Sequence, residues 1–292
     1  MDNAQLERAR TGAGFIAALD QSGGSTPKAL AGYGVTEDQY STPEEMFDLV
    51  HAFRVRIATS PVFDSRIVGA ILFEDTMRRD IEGQPAPTYL WKTKNIVPYV
   101  KIDKGLEETA DDVQLMKPMP ELDALLAEAA GLGVFGTKER SVIHEANKAG
   151  IKAVVDQQFE VGEQVLSHGL VPIIEPEVSI GSGSKKQAEA MLRAAILEHL
   201  ETVSAPVMLK LTLPEEDGFY APLVAHPKVV RVVALSGGYD LAESCRRLAA
   251  NPGVIASFSR ALIDGLSVNQ SAEEFDAKLD STIGQIAAAS NT

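Results

Sequence analysis

The chain has 292 residues, 45% of them hydrophobic, and this length permits one large domain or two small ones. Its net charge of −14, from 27 basic and 41 acidic side chains, argues against binding to nucleic acid or an anionic membrane; a small anionic substrate would need a local cluster of cations. Cys245 is the only cysteine, which excludes an intrachain disulfide and, with a polar start (Met1–Arg10) and no apolar run of roughly 18 residues, leads us to expect a soluble cytoplasmic protein.

In chain order, Phe15–Asp20 reads as a first strand. Pro43–Ala58 reads as a helix, with Met46, Phe47, Val50 and Phe53 at helical spacing and Ser41 and Thr42 as capping candidates. Strands follow at Ile67–Phe73 and Val97–Asp103, then the exposed acidic run Glu107–Asp112, which reads as a solvated loop. Next come a helix at Glu121–Ala130, a strand at Val134–Lys138, and helical stretches at Glu139–Ala149 and Asp156–Ser167. The alternation continues with strand Val171–Glu175, helix Lys185–Val203, strands Val207–Leu213 and Val229–Ser236, helix Asp240–Ala250 and strand Val254–Arg260. A helix over Ala272–Ala289 ends the pattern.

Strand and helix alternating throughout predicts a parallel sheet. Eight repeats over this length fit a single (β/α)8 TIM barrel across residues 1–292, with helical extensions at both ends, better than an open sheet. The open sheet would need a nucleotide-binding glycine fingerprint after the first strand, where Gln21-Ser22-Gly23-Gly24-Ser25 stands instead. Gly181-Ser182-Gly183-Ser184 is only a weak nucleotide signal.

Alternate residues of a barrel strand face the interior. In Val207–Leu213 the valine and leucines pack outward, while Met208, Lys210 and Thr212 face in. The same phasing turns Ile16, Ala18 and Asp20 inward on the first strand, and Val97, Tyr99, Lys101 and Asp103 on the third. Lys138 and Arg140 share the inward phase of the fourth strand or its extension, and Glu175 and Glu177 that of the fifth. Glu74 follows the second, Ser236 ends the seventh and Arg260 ends the eighth. A lone strand-end lysine ordinarily snorkels to solvent. So many charges converging on the C-terminal mouth, where barrels place active sites, call for pairing and for chemistry.

A lysine amine is a nucleophile only when neutral, which requires desolvation or nearby cations. Apolar barrel walls and Lys138 would supply both to Lys210. Attack on a ketone would give a carbinolamine and then an iminium, which draws electrons from the adjacent carbon–carbon bond without a metal. Glu175, among Pro172, Ile173, Ile174 and Pro176, suits the proton shuttle, and Asp20 could accept a proton from the substrate hydroxyl. Two anion sites are readable. One is Ser236-Gly237-Gly238, before a helix beginning near Tyr239, with Arg260; the other is Ser22-Gly23-Gly24-Ser25 with Lys101. His51, His144, His168, His199 and His226 lack metal-ligand spacing, and Cys245 reads as packing.

These segments resemble bacterial class I fructose-1,6-bisphosphate aldolases, roughly from Gly12 to Phe275. The resemblance is carried by Phe15–Ser25, Lys101–Gly105, Phe135–Arg140, Ile173–Glu177, Met208–Thr212, Ala234–Gly238 and Phe258–Arg260, in that order. It implies cleavage of fructose 1,6-bisphosphate to dihydroxyacetone phosphate and glyceraldehyde 3-phosphate through an imine on Lys210, with no metal cofactor. It also implies Glu175 as general acid/base with Glu177 beside it, Asp20 acting on the hydroxyl of the cleaved bond, and Lys138 near the iminium with Arg140 close by. Ser236, Gly237, Gly238 and Arg260 would hold the ketone-side phosphate; Ser22, Ser25 and Lys101 the far one. In two places the chain departs from animal members: Lys28 is followed by Ala29 rather than a basic residue, and Ala287–Thr292 carries no tyrosine. A homo-oligomer is left open. The rivals are a transaldolase or another Schiff-base barrel enzyme on a mono-phosphorylated sugar, and a non-catalytic scaffold, which would lack one of Lys210, Glu175 or Asp20.

Overall fold

Short runs rich in valine, isoleucine and leucine, too brief for helices, form most of the strands of this protein, seen in a computed structural model that describes residues 2–21 and 26–292. The parallel barrel strands are β1 (Phe15–Leu19), β2 (Ile67–Leu72), β3 (Val97–Lys101), β4 (Gly136–Ile143), β5 (Val171–Val178), β6 (Val207–Thr212), β7 (Val229–Leu235) and β8 (Ile255–Ala256). They pair in sequence order from β1 to β8. The Ala18 N–H donates to the Phe258 carbonyl at 3.4 Å, so the sheet nearly closes into the expected barrel.

The alternation of side chains divides the apolar residues into two cores. Ile16, Ala18, Ile71, Val97, Tyr99, Phe135, Val171, Ile173, Met208, Val233 and Ile255 fill the barrel. Val207, Leu209, Leu211 and Leu213 belong to the outer core, between strands and helices. The polar N-terminal segment forms a helix, Asn3–Thr11, that caps the bottom of the barrel through Ala9 and Leu6. Arg231 fastens it there, donating to the carbonyls of Ala9 (3.2 Å) and Gly12 (2.8 Å). Asn291 docks at the same end, accepting from the Gly14 N–H, while Ser290 accepts from the Ala256 N–H in β8. No helix among the described residues is long and apolar enough to cross a membrane.

The helix expected at Pro43–Ala58 spans Pro43–Thr59, with proline in its first turn and a Thr42–Glu45 capping box. Two expectations fail. Glu139–Ala149 is not a helix: residues through Ile143 extend β4, paired one to one with β5 from Gly136↔Val171 to Ile143↔Val178, and the helix begins at Lys148. Long-range pairing overrides the local helical spacing there. The eighth strand ends at Ala256, and Arg260 instead opens the short helix Arg260–Ile263.

The longer β4 puts Glu139 in the layer behind the barrel, fully buried. Thr137 Oγ1 donates to its Oε2 at 3.2 Å, while Oε1 has no partner among the described residues. Burial raises its pKa well above the usual carboxylate range. The folded chain therefore keeps a proton that the unfolded chain releases, and stability falls as pH rises from about 4.3 toward the folded-state value. Glu139→Gln removes this loss. It is expected to raise Tm by a few degrees near pH 8, with the gap closing toward pH 4 in calorimetric scans; a gap independent of pH would contradict a titrating Glu139.

Candidate active site

Four strand ends bring the reactive groups together. Asp20 follows β1, Lys138 lies in β4, Glu175 in β5 and Lys210 in β6. All four are buried, Lys138 at 3% and Lys210 at 4% exposure. Isolated charges this deep would cost several kcal/mol each, so they survive by pairing. Lys138 Nζ lies 2.7 Å from Asp20 Oδ2, 3.0 Å from Glu175 Oε2 and 4.0 Å from Asp103 Oδ2. Lys210 Nζ lies 3.0 Å from Glu175 Oε1. Glu175 is thus clamped between two lysine side chains.

The titration of the cluster follows from this geometry. Burial alone would push the Lys138 ammonium toward neutrality, but Asp20, Glu175 and Asp103 outweigh it and hold its pKa well above the ordinary lysine value. Burial likewise disfavours the Asp20 carboxylate, yet Lys138, Lys210 and Lys101 hold its pKa far below the usual range. The apolar setting expected for Glu175 needs correction. Ile174 packs into the outer core and Ile173 lies deeper in the barrel, so the Glu175 carboxylate faces lysines rather than hydrocarbon. Its Oε2 lies 3.0 Å from Lys138 Nζ, an ion pair without an aligned hydrogen bond.

Around this centre, Lys101 donates to the Asp103 carboxylate and carbonyl, both at 2.7 Å. Asp103 also accepts from the Arg140 N–H at 3.3 Å, and the Arg140 guanidinium pairs with Glu177 at 2.8 Å. Glu74 sits at the rim, paired with Arg78 and Lys104. The open cavity above the cluster, about 1140 Å³, is also lined by Lys28, Ser236, Gly237 and Arg260. Gly237 and Gly238 adopt φ of 64° and 128°, and a Cβ on Gly237 would stand 2.6 Å from Ile180 Cγ2, so this turn needs glycine. Arg260 lies against Gly238, its Nη2 3.6 Å from where a Cβ would stand. Arg260 thus reaches the expected loop from a helix rather than a strand end. The neighbouring helix, Leu241–Ala249, is capped by Asp240, which accepts from the Glu243 N–H at 2.8 Å. Ser22, Gly23, Gly24 and Ser25 lie outside the described residues.

The Gly181–Ser184 turn also holds a carboxylate of the chain itself. Glu145 accepts from Ser182 Oγ (2.9 Å), Gly183 N–H (3.1 Å) and Ser184 N–H (3.0 Å). None of the five histidines lines the cavity among the described residues, and no group of three potential ligands gathers there to hold a metal ion.

Residues 4–205 match the family model of fructose-bisphosphate aldolase class-I, more than half of the chain. Over 291 residues the chain is 53% identical to the class 1 fructose-bisphosphate aldolase of Porphyromonas gingivalis, covering 99% of both chains. The chain belongs to the class I fructose-bisphosphate aldolase family. It is also 56% identical to the class 1 enzyme of Synechocystis sp. over 291 residues, 99% of this chain and 97% of that one. The barrel of this family member superposes on the fructose-bisphosphate aldolase of Plasmodium falciparum with a TM-score of 0.78, at 21% identity, covering 98% and 91% of the two chains.

One supporting residue of this class I aldolase escaped the sequence reading. Arg54 is fully buried and donates to the Leu19 carbonyl (2.8 Å) and Gln21 Oε1 (2.5 Å), fixing the chain on both sides of Asp20. Its signal was present: an arginine four residues after Val50, on the apolar face of the Pro43–Thr59 helix.

Proposed function

We propose that this chain cleaves fructose 1,6-bisphosphate reversibly to dihydroxyacetone phosphate and glyceraldehyde 3-phosphate, in the cytoplasm and without a metal, through an imine on Lys210. One observation carries the assignment of the lysine. Lys138 has three carboxylates within 4.0 Å, whereas Lys210 has one among the described residues. Lys138 therefore keeps its charge, and Lys210 is the amine that can pass its proton to Glu175 Oε1 across 3.0 Å.

The neutral Lys210 Nζ then adds to the ketone carbon. Glu175 protonates the resulting carbinolamine hydroxyl, which leaves as water to give the iminium. Asp20, held ionised by Lys138, accepts the proton of the hydroxyl on the far side of the breaking bond, and the bond's electrons pass into the iminium to form an enamine. Lys138 stays cationic beside these steps, and Glu177 with Arg140 flanks the path. Ser236, Gly237, Gly238 and Arg260 hold the ketone-side phosphate, and Ser22, Ser25 and Lys101 the other.

The assay that tests this reading compares cleavage of fructose 1,6-bisphosphate with that of fructose 1-phosphate, with and without EDTA. Preference for the bisphosphate and indifference to EDTA support it. Equal use of the monophosphate, or transfer to an acceptor aldehyde instead of release of triose, would favour the rival sugar-phosphate enzymes. Arg260→Ala is expected to raise KM for the bisphosphate about 10- to 100-fold, the loss of hydrogen bonds to a charged group, with little change in Tm because the side chain is exposed. An unchanged KM in steady-state assays would place the phosphate elsewhere.

A further inference from the structure

Behind the mouth, between β4, β5 and the helix Lys148–Ser167, lies the fully buried carboxamide of Gln158. Its Oε1 accepts from the Glu175 N–H at 3.2 Å. Its Nε2 donates to Ser141 Oγ at 2.5 Å and reaches the carbonyls of Glu139 (3.4 Å) and Glu175 (3.5 Å). The amide therefore touches both strands across one seam, at the residue that carries the clamped carboxylate.

That seam matters because β5 is held unevenly. Pro172 and Pro176 remove two backbone donors from the strand. Its pairing with β6 stops at Ile174↔Leu209, and the next tie on that side is Val178, bonded through both N–H and C=O to Thr212 Oγ1. On the β4 side the register continues through Arg140↔Glu175 and Val142↔Glu177. The segment bearing Glu175 and Glu177 is thus anchored mainly along β4, where Gln158 staples the two strands together.

We propose that Gln158 is a positioning residue for the aldol reaction: by stapling the β4–β5 seam it fixes the Glu175 backbone so that the carboxylate meets Lys138 and Lys210 together, at 3.0 Å each. This rests on the function proposed above. Near-attack chemistry is sensitive to displacements of about 1 Å, which can cost on the order of a hundredfold.

The test uses Gln158→Met, which fills the space but neither donates nor accepts, and Gln158→Glu, which keeps an acceptor for the Glu175 N–H. The control is Val154→Ala, one turn earlier on the same buried face, which removes packing without touching Glu175 hydrogen bonds. Gln158→Met is expected to lower kcat about 10- to 100-fold with KM within about twofold. Gln158→Glu is expected to fall between it and the wild type, and Val154→Ala to lose Tm but keep kcat. Gln158→Met with the kcat of Val154→Ala overturns the proposal. Should the methionine variant not fold, a wild-type kcat in Gln158→Glu with its pH–rate profile unmoved overturns it equally. Imine trapping in the wild-type protein tests the underlying reaction separately, so trapping that succeeds while these variants keep full kcat removes only the positioning role.

Discussion

Lys210→Arg is expected to fold as the wild type does and to lose at least about a thousandfold in kcat, more than 4 kcal/mol of barrier. Lys210 is buried in the barrel with Glu175 as its carboxylate partner at 3.0 Å. A guanidinium can keep that ion pair, so the electrostatic balance of the cluster survives. It does not give up its proton in a protein and so presents no lone pair to a carbonyl. Charge is retained while nucleophilicity is removed, which separates catalysis from structure. Steady-state kinetics beside thermal unfolding makes the comparison; more than about a tenth of wild-type kcat in a folded variant would contradict an imine at this position.

Lys138→Met has the largest expected effect on stability. The substitution takes away the cation that faces Asp20, Glu175 and Asp103 and leaves those carboxylates buried beside one another. Breaking a buried pair from one side typically costs about 3–5 kcal/mol, which for a chain of this size lowers Tm by roughly 10 °C. The pH dependence has a definite sign. Asp20 has a depressed pKa in the folded protein, so its contribution is present above the unfolded value of about 3.9 and is lost as pH falls through the folded value. The methionine variant forfeits most of that contribution. The Tm difference from wild type is therefore expected to be widest near neutrality and to shrink below about pH 4. A difference that grows with acidification would mean that Lys138 does not stabilise these carboxylates.

Strand phase made most of the site legible. Counting alternate residues sent Lys210, Glu175, Asp20, Lys138 and Lys101 to one mouth, and the folded chain brings the first four within ion-pair reach. Phase misleads where the strand is longer than its apolar segment. β4 runs to Ile143 because β5 pairs with it residue by residue, information that no local window contains. The same error hid Glu139, whose inclusion in a helix disguised a buried carboxyl. The setting of Glu175 is not legible for a related reason: sequence neighbours of a strand residue point to the opposite face, so Ile174 and Pro176 say little about where a carboxylate lies. Arg54 and Gln158 belong to the helical layer, and their partners, Leu19 and Gln21 for one and Glu175 for the other, lie 33 or more and 17 residues away in sequence, which periodicity cannot join. The turn at Gly237–Gly238 is visible from composition, and the helix beside it is capped by Asp240 at the Glu243 N–H.

Borohydride reduction in the presence of dihydroxyacetone phosphate, followed by mass mapping of the digested protein, interrogates the reactive amine itself. A three-carbon phosphate adduct on Lys210, with inactivation in proportion to labelling, is the outcome the geometry requires. An adduct on Lys138 or any other lysine, or no adduct in a protein that still cleaves the sugar, would contradict it.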